Sequence, residues 1–223
     1  MIIQVTGLVT TIITGVTFFI TIASLTLQNN MYMRTIQCFE SSIIFIAFCF
    51  YLFILDKNWK APSPAKLRIR FYDWILTTPL MLIVLILLYP SEKSTVQQTF
   101  SSNALTITAV CIMTVLMIVI GLYNNSCMFP RKIVASIIGF LLLVGIFVTI
   151  YLRTGVARSK SQTAFWYTVI IWTLYGFVYF LPFTVKNVAY NILDLLAKSI
   201  FGLLLATKIF KVQYPLEDIR SKH

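Results

Sequence analysis

Seven apolar stretches, each close to the roughly 20 residues that cross a bilayer core, alternate with polar breaks along the chain. The first stretch ends at an amide run over residues 28–30, and the second ends at a proline-containing connection over residues 56–64. Sustained alternation of period two is absent, so the pattern predicts an all-α, seven-transmembrane-helix bundle rather than a membrane β-barrel. The predicted helices cover residues 2–27, 35–55, 70–89, 104–123, 133–152, 163–181 and 188–210.

The seven segments form one predicted membrane domain, residues 1–210, followed by a short polar C-terminal tail, residues 211–223. The composition agrees with this interpretation, because 59% of the residues are hydrophobic and only 11% are charged. Such a balance is typical of a multi-pass protein of the lipid bilayer. The four cysteines show no ligand or disulfide spacing and the single histidine is His223, so no metal site is predicted.

The formal charge of +11 does not indicate nucleic-acid binding. The basic residues are spread over the ends of the apolar segments, where they meet lipid headgroups. More of them fall in the loops on the side of the C-terminal tail than in the opposite loops. The positive-inside rule therefore favours a cytoplasmic C-terminus and an extracellular N-terminus.

The seventh segment carries an acid and an amine in the middle of its apolar run. Asp194 and Lys198 are four residues apart, so on a helix they share one face. Charged groups at that depth are costly, which makes them a functional hypothesis. A desolvated lysine is readily neutral and can attack a carbonyl carbon to form a Schiff base, which needs a nearby carboxylate once it is protonated. The alternative is a structural Asp–Lys pair that holds the helix against its neighbours.

The third and sixth segments supply candidate walls for a ligand. In the third, Arg70, Asp73 and Thr77 follow one helical face, and the neighbouring face presents Trp74, Thr78 and Met81. In the sixth, an aromatic stripe comprises Trp172, Tyr175 and Tyr179. Aromatic stripes more often serve plain helix packing. Next to a reactive amine, however, two aromatic walls indicate a long conjugated aldehyde held between rings.

The chain resembles the microbial (type 1) rhodopsins over essentially all seven segments. The third segment carries the run Asp-Trp-x-x-Thr-Thr-Pro, and the seventh carries Asp-x-x-x-Lys. The resemblance rests on Tyr51, Arg70, Asp73, Trp74, Thr77, Thr78, Pro79, Met117, Gly121, Trp172, Tyr175, Asp194 and Lys198.

This resemblance implies all-trans retinal bound as a protonated Schiff base on Lys198. It implies a complex counterion of Asp73 and Asp194 that is held by Arg70, Tyr51 and Tyr175. Besides Lys198, the residues predicted to bind the retinal are Tyr51, Trp74, Thr78, Met81, Met117, Gly121, Trp172, Tyr175 and Tyr179. The resemblance further implies a light-responsive protein rather than an enzyme, an outward-facing N-terminus, and a homo-oligomer, either a trimer or a pentamer.

The family's known activities leave three alternatives for this chain. Light-driven outward proton transport is favoured because Asp73, Thr77 and Asp194 retain the proton-acceptor machinery. A light-gated channel for protons or small cations is the second alternative, and a sensory photoreceptor is the third. In the best-known outward pumps a proton-donating carboxylate occupies the position where this chain has Val84.

Glu40 in the second segment is a candidate replacement for that donor, or part of an inner gate. The competing interpretation is a solvated residue near the helix end that pairs with Arg34. A glutamate in the second helix and a short chain are features in which the sequence is similar to the rhodopsins of large algal viruses.

Overall fold

The computed structural model describes residues 2–60, 64–89, 95–124, 129–159 and 162–207, and within these ranges every regular element is helical. A 3₁₀ turn, Gly155–Arg158, follows the sixth α-helix, and a π-helical turn, Leu195–Ile200, joins the last two. The α-helices, numbered in chain order, are α1 (Ile2–Leu27), α2 (Met31–Lys60), α3 (Pro64–Leu87), α4 (Val96–Ser102), α5 (Ala104–Asn124), α6 (Phe129–Arg153), α7 (Thr163–Val178), α8 (Phe183–Asp194) and α9 (Phe201–Ala206).

Six helical stretches of the described ranges are long and apolar enough to cross a membrane, and α7 is a further, shorter apolar helix. The last of the six, Phe183–Ala206, comprises α8, the π turn and α9. These seven spans confirm the predicted all-α, seven-helix bundle. Residues 208–210 of the predicted seventh segment and the tail, 211–223, lie outside the described residues.

Several helix ends differ from the prediction. The helix α2 runs on to Lys60 and α3 begins at Pro64, so the polar connection is shorter than residues 56–64. Proline fits the first turn of a helix, where its missing N–H has no intrahelical partner to lose. At the outer end of the bundle, α8 begins at Phe183 rather than at residue 188. The polar Lys186 and Asn187 lower the hydropathy there without interrupting the helix.

The short helix α4 was not predicted, because its sequence is too polar to stand out as an apolar segment. A capping box fixes its start: Thr95 Oγ1 accepts a hydrogen bond from the Gln98 backbone N–H, and the Thr95 N–H donates to Gln98 Oε1. Such reciprocal bonds satisfy two donors that a helix start otherwise leaves unpaired.

The spans pack as a closed ring. α1 packs on α2, α2 on α3, α3 on α5, α5 on α6, α6 on α7 and α7 on α8, and α1 also contacts α8, the π turn and α9. The threonines Thr10, Thr11, Thr14 and Thr17 of α1 face the bundle interior, and their hydroxyls donate to backbone carbonyls four residues earlier. The ring thus encloses side chains from α3 and from the last span, which carry the predicted site.

Candidate functional site

The last span changes its helical form around its amine. Lys198 lies in the π turn Leu195–Ile200, where the backbone N–H of Phe201 bonds to the carbonyl of Leu196. The same carbonyl accepts a hydrogen bond from Tyr167 Oη of α7 at 2.8 Å. The π turn within the predicted seventh helix was not foreseen, because apolar periodicity carries no signal for the one extra residue that a π turn inserts.

The amine pairs across the bundle. Lys198 Nζ donates to Asp73 Oδ2 of α3 at 2.5 Å, and both side chains are buried. The described ion pairs do not include one between Lys198 and Asp194, so a simple pair along the last span is not what holds this helix. Thr77 Oγ1 donates to the Asp73 backbone carbonyl at 2.8 Å and approaches its Oδ1 at 3.5 Å.

The second carboxylate is surrounded by donors. Asp194 Oδ2 accepts from Tyr51 Oη at 2.5 Å and from Arg70 Nη1 at 3.2 Å. Its Oδ1 accepts from Tyr175 Oη at 2.6 Å and from the indole Nε1 of Trp74 at 3.0 Å. The four donors thus surround the Asp194 carboxylate beside the Lys198–Asp73 pair.

Arg70 connects this cluster to the first span. Its guanidinium, only 2% exposed, donates to Tyr51 Oη at 2.8 Å and to Asn191 Oδ1. The Asn191 amide in turn donates to Thr6 Oγ1 of α1 at 2.8 Å. Thr6 was not predicted to belong to the site, because threonines recur along α1 and only the fold distinguishes this one.

A cavity opens at the buried amine. Nearly all residues predicted to bind the cofactor line it, but Tyr51 does not: it lies behind Asp194 and belongs to the counterion cluster. The α6 wall, which includes Ser136, Gly139 and Phe140, was missed because such small or apolar residues are common throughout a membrane helix. The predicted residues on the lining are Trp74, Thr78, Met81, Met117, Gly121, Trp172, Tyr175, Tyr179, Asp194 and Lys198.

The lining fits a flat conjugated aldehyde such as retinal. The ring of Trp74 packs edge-on against Tyr175, with centroids 5.3 Å apart, and against Tyr190 at 4.9 Å. Gly176 is required for close packing, because a Cβ built there would lie 2.4 Å from Cζ of Phe140. The remaining lining is largely apolar, and the amine and its carboxylates are confined to one region. Lys198 would hold such a ligand covalently between the rings.

Glu40 lies apart from this cluster, on the half of α2 that contacts α9. It is 2% exposed, and neither carboxylate oxygen has a hydrogen-bond partner in the part of the chain that the structure describes. The interpretation as a solvated residue paired with Arg34 is therefore wrong. A Cβ built on Gly202 would lie 3.0 Å from Glu40 Oε1, so the carboxyl packs on the last span one turn beyond Lys198.

Comparisons with known proteins agree with this arrangement. The family described as bacteriorhodopsin-like protein matches residues 1–212. No curated protein sequence matches the chain significantly. Among solved structures, the viral rhodopsin OLPVRII is similar with a TM-score of 0.81 at 23% identity, covering 96% of this chain and 100% of that one.

Two further solved structures show the same fold at low identity. The thermophilic rhodopsin from Rubrobacter xylanophilus has a TM-score of 0.78 at 22% identity, with 92% of this chain and 95% of that chain covered. Xanthorhodopsin, described as a light-driven ion pump with dual chromophore, has a TM-score of 0.72 at 21% identity, with 92% and 90% covered.

The family match spans nearly the whole chain, and the fold and the cavity agree with it. Retinal is the chromophore of that family. The chain therefore belongs to the bacteriorhodopsin-like family and is a retinal-binding, multi-pass protein of the membrane.

Proposed function

We propose that this chain is a light-driven outward proton transporter in which Lys198 carries retinal and Asp73 is the first proton acceptor. The observation that carries the proposal is the buried contact of Lys198 Nζ with Asp73 Oδ2 at 2.5 Å. When bound, retinal supplies light absorption and a change of double-bond geometry that reorients the Lys198 nitrogen. A proton on the Lys198 nitrogen has the Asp73 carboxylate oxygen within direct transfer distance.

The two carboxylates have different roles because their hydrogen bonds differ. Asp194 accepts four hydrogen bonds, including one from a guanidinium, and protonation would weaken all of them. Asp73 is bonded through its side chain to Lys198, with a long contact from Thr77. Proton transfer removes the charges of Asp73 and Lys198 together, so the buried site stays balanced. Asp73 therefore accepts the proton while Asp194 remains ionised.

The route outward follows the polar chain beyond Asp73. Arg70 lies one turn before Asp73 on α3, and its bonds continue through Asn191 to Thr6. With the N-terminus on the extracellular side, as proposed from the distribution of basic residues, Thr6 lies near the outer end of α1. Neutralising Asp73 weakens its attraction for the Arg70 guanidinium, which favours proton release toward the outer surface.

Resupply of the proton from the cytoplasmic side is assigned to Glu40. Val84 is fully buried in the apolar core, so α3 offers no carboxyl group at the usual donor position. Glu40 reaches the interior from α2 instead and packs against Gly202, one turn beyond Lys198. Its lack of a described partner is compatible with a neutral carboxylic acid, which is the form that a proton donor needs.

A light-gated cation or proton channel is the second candidate. It is favoured by a group of buried oxygen atoms without hydrogen-bond partners in the described residues, namely Gln37 Oε1, both carboxyl oxygens of Glu40 and Ser41 Oγ. Oxygen atoms of this kind suit a passing hydrated cation or proton. The same side chains thus serve as donor site in one proposal and as inner constriction in the other.

Photocurrents under voltage clamp separate the candidates. A pump produces an outward current at zero electrochemical gradient, and the current keeps its sign over a wide voltage range. A channel current reverses at the Nernst potential of the permeant ion. A current that reverses with the proton or cation gradient would overturn the transport proposal in favour of the channel, and the absence of any current would overturn both.

A further inference from the structure

Two lysines converge on one aromatic ring at the end of the bundle where α6 and α8 begin. Lys132 is the fourth residue of α6, and Lys186 is the fourth residue of α8. Their Nζ atoms lie 4.9 Å and 5.2 Å from the ring centroid of Tyr179. Lys186 is only 5% exposed, although it lies between the predicted helices over residues 163–181 and 188–210. This group of three side chains is called the outer lysine cluster below.

The outer lysine cluster contains positive charge without a described negative partner. The ion pairs within the described ranges join Arg70 to Asp194 and Lys198 to Asp73, and neither lysine of the cluster takes part in them. The start of α8 adds a partial positive charge, and its N-cap residue, Pro182, provides no side-chain cap. Two ammonium groups therefore meet at the Tyr179 ring, and one of them belongs to the first turns of α8.

Contact with Tyr179 does not balance these charges. A cation–π contact recovers only part of the hydration that a buried ammonium group loses, and two like charges at one ring repel each other. A helix N-terminus with unpaired N–H groups is a known type of anion site. The missing component is thus a negatively charged group that contacts both lysines.

We propose that the outer lysine cluster binds a small anion, supplied either as chloride from solution or as the phosphate of a lipid headgroup. Lys186 is nearly enclosed whereas Lys132 is partly exposed, so the anion enters past Lys132 and rests against Lys186. Because Tyr179 Oη also donates to the Gly121 carbonyl at 3.1 Å, the bound anion steadies the contact between α7 and α5 beside the cavity.

The test measures thermal unfolding of the purified protein in dodecyl maltoside, a detergent without phosphate. Sodium chloride is titrated against sodium gluconate at equal ionic strength. Chloride binding is expected to raise Tm by roughly 2–8 °C in a saturable way. If lipid phosphate is the natural anion, added phosphatidylglycerol raises Tm in gluconate and removes the response to chloride.

Variants test whether the rise in Tm with chloride arises at the outer lysine cluster. Lys186→Met is expected to lose the response to both anions, and Lys132→Met, at a partly exposed position, provides the same test if the first variant folds poorly. Lys186→Glu supplies its own carboxylate, so it is expected to be independent of chloride and at least as stable as Lys186→Met. Arg131→Gln, at an exposed neighbouring position, is the matched control and is expected to keep the full response.

Two results would overturn the proposal. One is an unchanged Tm of the wild type in chloride, in gluconate and after addition of phosphatidylglycerol. The other is a full chloride response in both Lys186→Met and Lys132→Met, which would place the anion elsewhere on the protein.

Discussion

The indole Nε1 of Trp74 donates a hydrogen bond to Oδ1 of Asp194 at 3.0 Å. One side chain therefore both lines the cavity and holds the second carboxylate. The preceding residue, Asp73, contacts the amine of Lys198. Adjacent positions of α3 thus bind Asp194 and Lys198 of the last span, which couples the shape of the cavity to its charge balance.

Trp74→Phe tests the hydrogen bond from Trp74 to Asp194, because the variant keeps an aromatic ring and removes the indole N–H donor. The loss of a hydrogen bond to a charged group is expected to lower the free energy of unfolding by about 1–3 kcal/mol. Thermal unfolding followed by visible absorbance measures the effect. Trp172→Phe is the control, since Trp172 lines the cavity but makes no described hydrogen bond to either carboxylate. An equal loss in both variants would show that the indole bond is not the cause.

Asp73→Asn tests the proton acceptor. The variant leaves the positive charge at Lys198 without its nearest carboxylate, and it offers no oxygen that can hold the transferred proton. Light-driven acidification of the medium is expected to disappear, as measured with a pH electrode on a suspension of illuminated cells. Thr77→Val keeps the Asp73 carboxylate. It is expected to change the rate of proton transfer without abolishing light-driven proton release. Proton release of wild-type size from Asp73→Asn would refute the assignment.

Glu40→Gln tests the inner donor. The amide has nearly the same shape but no proton to give, so recovery of the dark state is expected to slow severalfold at neutral pH. Flash photolysis measures this recovery. Ser41→Ala alters a neighbouring buried oxygen without removing an acid, and it is expected to recover at nearly the wild-type rate. Equal recovery of Glu40→Gln and wild type rejects the donor role.

Gly202→Ala tests the packing of Glu40 on the last span. The added Cβ would lie 2.8 Å from Ile44 Cδ1 and 3.0 Å from Glu40 Oε1, so α2 and α9 must move apart or the carboxyl must turn away. A loss of about 1–3 kcal/mol in stability is expected, together with slower recovery. Gly7→Ala is the matched control, because a Cβ there meets no atom within 4 Å.

Lys198→Ala tests the covalent attachment on which the functional proposal depends. The variant has no amine in the cavity, so protein supplied with all-trans retinal is expected to remain colourless in the visible spectrum. Visible colour of wild-type intensity in this variant would refute attachment at Lys198. The same spectrum recorded for Lys186→Met, which removes a different buried lysine, serves as the control and is expected to remain coloured.

The residues that could be predicted from the sequence are those whose chemistry is out of place in an apolar segment. Asp73, Asp194 and Lys198 stand out in this way, and the helical period correctly placed Trp74 beside the charged face of α3. That Lys198 pairs with Asp73 rather than with Asp194 depends on how two helices meet, which no local pattern contains. Only the folded structure shows which hydrogen-bond donors contact Asp73 and which contact Asp194.

Other parts of the site were missed because their residues are common. Gly139 and Phe140 of α6 line the cavity, but small and apolar residues occur throughout a membrane helix. Lys186 looked like a loop residue because it is charged, whereas the fold buries it at the start of α8. In both cases burial is decided by neighbouring helices rather than by the residue type.

The π turn at Leu195–Ile200 determines which neighbouring helices Lys198 and Gly202 face. That orientation depends on the number of residues in the turn. One inserted residue rotates everything after it by about 100° relative to a continuous α-helix. Lys198 and Gly202 both follow the start of this turn. Deleting a single residue from 195–197 would swing both positions around the helix axis, away from α3 and α2. The spacing along this segment therefore constrains the protein more tightly than the identity of the aliphatic side chains within it.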